Sequence, residues 1–267
     1  MGQPQTDWPV MRWDLTAPEW YMLNYVGQGF SVQAFKLAVK ELVASGALRV
    51  EAVEVRRRLG GRRRVAALGA GARVRTRPQS VLIPVLDLFH GARAAVVPID
   101  DFAVAARKRL GRRCNKYRDD YLLPALSGRR LIRTGGRGAK GTTWTPDGRQ
   151  AVDDLDRLME VGKRRLRAWV HYEPSKAVAY VANAGAAILL MDDLYPQFAR
   201  LGRLLAERRV AGDPVGPEVG LAFGSWDGSD AHGLEALDAS FEAVDLGIDA
   251  GVGGGGDGGG GDGGGTF

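Results

Sequence analysis

The sequence predicts a mainly α-helical protein with small β-hairpins, an α+β fold, followed by a C-terminal helical pair and a disordered tail. Two observations carry this prediction. Helix-start signals and helical apolar spacings alternate with short valine-rich strands beside glycine-rich turns. Residues 210–267 contain eleven acidic residues and no lysine or arginine, and they end in VGGGGDGGGGDGGGTF. Such a segment buries too little apolar surface to offset the entropy of ordering it.

Two helices open the first predicted unit, residues 13–75. Residues 16–19, Thr-Ala-Pro-Glu, form a capping box with an early proline, so a helix should start there and run to about Val26. Ser31 should cap a second helix, whose apolar residues have the spacing of one buried face. Gly46 should end that helix.

A basic hairpin completes this unit. Residues 48–55 alternate apolar and polar side chains, which predicts a strand. The segment RRRLGGRRR follows, and Gly60-Gly61 can take the positive φ angles of a tight turn. Residues 65–68 are the expected returning strand. The order of elements is therefore helix, helix, strand, basic tip and strand.

The same order recurs about 80 residues later, which indicates an internal duplication and a second unit over residues 80–170. A helical pair over residues 174–209 follows, predicted as helices 175–191 and 194–209. The elements expected in the second unit are helices over 81–89, 100–110 and 116–127, strands over 131–134 and 142–145, and a long amphipathic helix from Pro146. The helix over 116–127 is expected to be bent by Pro124 and stopped by Ser127-Gly128.

In the second unit a helix ends in LSG, a strand LIRT follows, and the junction from strand to helix reads Trp144-Thr145-Pro146-Asp147-Gly148-Arg149. This order of segments, and the junction in particular, resembles the winged-helix regulators of bacteria. The first unit shares the phrase LVASGALRV and a basic wing. The resemblance covers residues 13–70 and 81–160. It implies two winged-helix-like units, each with a wing tip that reaches a phosphate backbone and a last helix that enters the major groove.

The sequence has two further resemblances, one of which implies a different ligand. The order of segments, with AVAYVANAGAAILLMDDLYPQFARL before the tail, is similar to bacterial proteins of unknown function that end in a glycine-rich tail. The segment AFKLAVKELVASGALRV resembles the helices of Golgi-phosphoprotein-type phosphoinositide-binding proteins, bacterial members included. The resemblance to the phosphoinositide-binding proteins implies an anionic membrane surface as an alternative ligand.

Charge is distributed unevenly along the chain. Residues 1–168 hold 32 Lys+Arg against 16 Asp+Glu, and residues 169–267 hold 5 against 15. The guanidinium group of arginine donates paired hydrogen bonds to phosphate oxygens, so the basic clusters predict a polyanion partner. Two roles are open for the acidic tail. It keeps the chain soluble, or it competes with the polyanion for the basic residues of its own chain, to which it is tethered. The predicted anion-binding residues are Arg56, Arg57, Arg58, Arg62, Arg63, Arg64, Arg107, Lys108, Arg109, Arg112, Arg113, Lys116, Arg118, Arg137 and Lys140.

The helix over 116–127 is the candidate for reading bases. Asn115, Lys116 and Arg118 have suitable side chains, but Asp119-Asp120 beside them repel phosphate. Binding is therefore expected to follow nucleic-acid shape and phosphates rather than base sequence.

No catalytic constellation is recognisable, so the protein is predicted not to be an enzyme and to need no cofactor or metal. Its paired acids are neighbours in sequence, which a helix turns about 100° apart, and its three histidines have no ligand spacing. GGRGAKGTT lacks the Gly-Lys-Ser/Thr order of a phosphate loop. The single cysteine, Cys114, rules out an internal disulfide, which fits a cytoplasmic protein.

The function expected from the sequence is phosphate-backbone binding of nucleic acid through basic winged-helix units. The alternative is an adaptor that uses the same arginines on anionic lipid, phosphoinositide or an acidic protein. A homo-oligomer is left open by the sequence.

Overall fold

A computed structural model describes residues 8–28, 31–56, 61–71, 79–92, 94–111, 113–135, 141–195, 197 and 200–201. The predicted tail and most of the last predicted helix, 194–209, lie outside these residues. The described chain is mainly helical with two small antiparallel sheets, which confirms the α+β prediction.

The capping box predicted at the first helix is present. Helix α1, Ala17–Asn24, starts after Thr16, whose Oγ1 accepts a hydrogen bond from Glu19 N, while Thr16 N donates to Glu19 Oε2 over 2.9 Å. Helix α1 ends at Asn24, slightly before the predicted Val26. Trp20, Met22 and Leu23 are buried although the sequence of α1 has little amphipathic character.

Helix α2, Ser31–Ala44, ends as predicted at Gly46. This glycine has a φ of 73° and donates its N–H to Val43 O, and Ala47 N donates to Leu42 O. These two bonds form a Schellman motif. Ser31 is the first helical residue rather than a preceding cap, and its hydroxyl bonds instead to Asn115 Oδ1 over 3.3 Å.

The first sheet has the strand order β1-β2-β3, with β1 at Leu48–Arg56, β2 at Arg62–Ala70 and β3 at Val96–Pro98. Strands β1 and β2 form the predicted hairpin, in which Arg56 pairs with Arg62. Its predicted turn glycine Gly61 has a φ of 83°, and Gly60 lies outside the described residues. Strand β3 pairs with β2 through Leu68 and Val97 and has no counterpart in the sequence prediction. The sheet therefore joins strands from both predicted units.

Helix α3, Ile83–Gly91, and helix α4, Ile99–Leu110, lie where the sequence predicts helices. The predicted helix over 116–127 is instead three consecutive turns: α5, Asn115–Tyr117, a π-helical turn, Arg118–Leu122, and α6, Leu123–Gly128. Leu123 N donates to Arg118 O in the π pattern. Pro124 follows directly, and because it has no N–H it cannot restore the α-helical bond at this point.

The end of α6 corrects the sequence prediction. Gly128 is the last helical residue, and the left-handed position belongs to Arg130, with a φ of 60°. Arg130 N donates to Ser127 O and Leu131 N donates to Leu126 O, the same pair of bonds that ends α2. Ser127-Gly128 therefore do not stop this helix by themselves.

A short hairpin leads into the longest helix. Strands β4, Ile132–Thr134, and β5, Thr142–Trp144, pair antiparallel, and helix α7 covers Pro146–Tyr172. Thr145 caps α7 by accepting from Gly148 N over 3.0 Å. A Cβ on Gly148 would lie 1.9 Å from Leu131 O, so only glycine fits there. The motif of residues 144–149 thus has a structural role at this junction.

The helix predicted over 175–191 is shorter than expected. Helix α8, Pro174–Ala184, ends at Gly185, which has a φ of 53°, and 3-10 turns follow at Gly185–Leu190 and Asp192–Leu194. Buried Lys40 of α2 holds this segment, with its Nζ 3.6 Å from Asp192 Oδ1 and 3.4 Å from the Tyr195 hydroxyl.

One hydrophobic core extends from Trp8 to Leu201 and includes side chains from both predicted units. At the α7–α8 end, the rings of Trp8, Trp169 and Tyr180 pack on one another. No helix among the described residues is both long enough and apolar enough to cross a membrane.

Candidate nucleic-acid interface

The tip of the β1–β2 hairpin concentrates positive charge on one of its faces. Cross-strand partners share a face, and the register pairs Arg56 with Arg62 and Glu54 with Arg64. All four side chains are exposed. Arg62 Nη1 lies 3.1 Å from Glu54 Oε2, so the one carboxylate on this face pairs with one of its three guanidiniums. The hairpin does contain acids, unlike the RRRLGGRRR segment alone, but it keeps an excess of two positive charges there.

Among the described residues, Arg56 and Arg64 have no ion-pair partner, since Glu54 is engaged by Arg62. Arg57 and Arg58 lie outside the described residues. A phosphate group offers arginine a bidentate acceptor, which these two side chains lack among the described residues.

The hairpin is fixed against α4 by its other face. Arg63 Nη2 lies 2.9 Å from Asp100 Oδ2 in the first turn of α4. Because helix residues four apart lie above one another, Asp100, Val104 and Lys108 form one ridge of that helix. Lys108 lies about 12 Å along the ridge from Asp100, at about 1.5 Å per residue. The helix that contacts the hairpin through Asp100 therefore also carries Lys108.

The second basic cluster is exposed at the C-terminal end of α4 and the turn after it. Lys108, Arg109, Arg113 and Lys116 are exposed and Arg107 is half-buried, whereas Arg112 lies outside the described residues. Arg109 Nη2 is 3.9 Å from Asp87 Oδ2, a weak surface pair. The positive φ of Gly111, 88°, and of Cys114, 52°, turns the chain sharply between the two helices.

Arg118, one of the predicted anion-binding residues, is paired within the protein. Arg118 is 9% exposed, and its Nε and Nη2 lie 2.7 and 3.1 Å from the two carboxylate oxygens of Asp119. Burial of so much of a guanidinium requires a fixed counterion, and Asp119 provides it. Arg118 therefore stabilises the π-helical turn and is not free to meet phosphate.

Helix α2 also departs from what the resemblance implies. Eleven of its 14 residues are buried, between α1, β1 and the 3-10 turn at Gly185–Leu190. A helix that enters a major groove needs one wide solvent-facing side. Helix α2 has none, so it cannot read bases in this fold.

Arg137 and Lys140 of the second hairpin lie outside the described residues. Sequence reasoning also missed a basic stretch, Lys163, Arg164, Arg165 and Arg167, which is exposed on α7. The sequence signal for this basic stretch, KRRLR, was present, but the segment was interpreted only as part of a long helix because of its apolar face. Arg164 pairs with Glu160 on the same helix.

Other chemistry is sparse in the described part of the chain. Cys114 is 4% exposed, and no group of three or more His, Cys, Asp or Glu side chains is arranged to hold a metal ion. Comparison with protein-family models, curated protein sequences and solved structures finds no match to this chain.

Proposed function

We propose that the protein binds nucleic acid through the phosphate backbone and catalyses no reaction. The contact surface in this proposal is the arginine face of the β1–β2 hairpin together with the exposed basic residues of α4 and α5. The supporting observation is the hairpin face that Arg56, Arg62 and Arg64 share with the single carboxylate of Glu54. Within the proposal, the two helix–hairpin units are winged-helix-like modules, and the protein acts in a reducing cytoplasm.

The buried α2 and the internally paired Arg118 favour a phosphate-driven mode over base reading. Phosphate contacts position a protein on a duplex without specifying sequence. The hairpin would then reach the backbone as a wing does, while Lys108, Arg113 and Lys116 extend the contact. Each phosphate neutralised releases counterions, so affinity should fall steeply with salt.

The test is fluorescence anisotropy with a labelled duplex between about 50 and 200 mM salt. Wild-type protein should bind, and the log–log salt slope should become shallower by about 2 in the double variant Arg56→Ala with Arg64→Ala, since each phosphate contact contributes about 0.9. Arg164→Ala is the matched control, because its guanidinium already pairs with Glu160 on α7. Absence of duplex binding at about 50 mM salt, or an unchanged slope in the double variant, contradicts the proposal.

The exposed side chain of Val104 supports a second candidate, binding to an anionic membrane surface. Val104 is 59% exposed on the ridge between Asp100 and Lys108. An exposed apolar side chain one helical turn from an exposed lysine is suited to a lipid headgroup region. Co-sedimentation with vesicles of phosphatidylserine and phosphatidylcholine, compared with phosphatidylcholine alone, distinguishes this candidate. Binding to anionic vesicles without duplex binding favours it, and equal binding to both vesicles rejects it.

A further inference from the structure

A cavity of about 250 Å³ lies between residues 14–15, which precede α1, the C-terminal end of α2 and the 3-10 turn at Gly185–Leu190. Its polar lining comes from Asp14, Glu41, Ser45 and Gln79, and the 3-10 turn contributes much of its apolar lining. The volume is somewhat below the roughly 300–1,000 Å³ of typical ligand sites. It therefore suits a small molecule with one polar end and a short apolar part.

The carboxylate of Glu41 lacks a cationic partner among the described residues. Its Oε2 accepts a hydrogen bond from Ala17 N over 2.7 Å, and no lysine or arginine of the described chain forms an ion pair with it. Neighbouring Glu19 is in a different situation, because Arg129 Nε lies 3.3 Å from its Oε1. A carboxylate can accept about four hydrogen bonds, so Glu41 retains most of its capacity.

The surroundings of Glu41 are acidic as well as apolar. Desolvation raises the pKa of Glu41 to about 8; the Ala17 N–H opposes this, and the charges of Glu19 and Asp14 add to it. Tyr117 of α5 is the other titratable group coupled to Glu41, and the lining residues of the 3-10 turn carry no charge. Arg129 Nη1 is engaged by Asp14 O over 2.8 Å. A cation that enters the cavity would thus meet two carboxylates and no competing cation among its lining residues.

We propose that this cavity binds a small organic cation of the primary-amine or guanidinium class. Its charged head pairs with Glu41 and Asp14, and its short apolar part packs against Ile188 and Leu189. A guanidinium or ammonium head supplies the hydrogen-bond donors that the two carboxylates lack. This site is independent of the basic hairpin, which attracts ligands of the opposite charge.

The test is isothermal titration calorimetry of the full chain with n-propylguanidinium, whose charge does not change below about pH 12. We expect one site with a Kd of about 1 mM or tighter at pH 9. The affinity should be about 100-fold weaker at pH 6, because each pH unit below the pKa of Glu41 costs about tenfold. At pH 7, titrations in buffers of different ionisation enthalpy should show release of nearly one proton per ligand bound.

The Glu41→Gln variant should lose at least tenfold in affinity at pH 9 and should lose the proton release. It retains the size of Glu41 and an oxygen for the Ala17 N–H, so its circular dichroism spectrum should match that of wild type. Glu160→Gln, the same change at an exposed residue of α7, is the control and should bind as wild type does. Failure of wild type to bind at about 10 mM ligand and pH 9, or wild-type affinity in folded Glu41→Gln, overturns the proposal.

Discussion

Glu41 makes the stability of this protein decrease with pH in a range where most carboxyl groups have no effect. Its pKa is raised from an ordinary 4.5 to about 8, chiefly by desolvation. The folded state therefore keeps a proton that the unfolded chain has already released between these two values. The contribution of Glu41 to stability is greatest below about pH 4.5, falls between pH 4.5 and 8, and is constant above.

The size of this effect follows from the shift. An interval of about 3.5 pH units at about 1.36 kcal/mol per unit gives a loss of about 5 kcal/mol in the free energy of unfolding above pH 8. Replacing Glu41 with glutamine removes the titrating group and keeps an acceptor for Ala17 N. Glu41→Gln should therefore exceed wild type in stability by about 1 kcal/mol at pH 5 and by about 5 kcal/mol at pH 9.

Urea unfolding at pH 5, 7 and 9, followed by circular dichroism, measures this difference. Urea is required because guanidinium belongs to the ligand class proposed for the cavity. Glu160→Gln, the same change at an exposed residue beside Arg164, is the matched control. If the stability difference between Glu41→Gln and wild type is the same at all three pH values, the pKa of Glu41 is not raised in the folded state.

Three backbone positions give further predictions. Gly148→Ala should destabilise the protein by about 3 kcal/mol, because the new Cβ would lie 1.9 Å from the backbone oxygen of Leu131. The new Cβ of Gly128→Ala would meet open space, so this variant should be neutral or stabilising by about 0.5 kcal/mol. Thermal unfolding compares the two variants, and equal melting temperatures would refute the packing argument. Arg130→Gly should stabilise by up to about 1 kcal/mol, because Arg130 has a φ of 60° that glycine adopts without strain. A decrease in urea stability would show instead that the exposed arginine side chain contributes to the fold.

Features that depend on a few neighbouring residues were predictable from the sequence. The capping box at Thr16, the glycine that ends α2, and the strand-to-helix junction over residues 144–149 all form as local chemistry requires. The hairpin and the exposed arginines at its tip follow from alternation and turn residues in the same way.

The failures share a different cause. Strand β3 is three residues long and exists because it pairs with β2, which lies far away in sequence. The left-handed residue after α6 is Arg130 rather than a glycine, because the chain must turn there to pair β4 with β5. A pattern within one segment contains no information about such partners.

By itself, the sequence determined where helices and hairpins form and where positive charge is concentrated, because backbone propensity and charge are properties of neighbouring residues. Only the tertiary structure decided which charges remain available. It placed Arg118 against Asp119, surrounded α2 with other elements, and left Glu41 facing a cavity without a cationic partner in the described chain. Desolvation and ion pairing depend on what packs against a side chain, and packing is set by the whole fold.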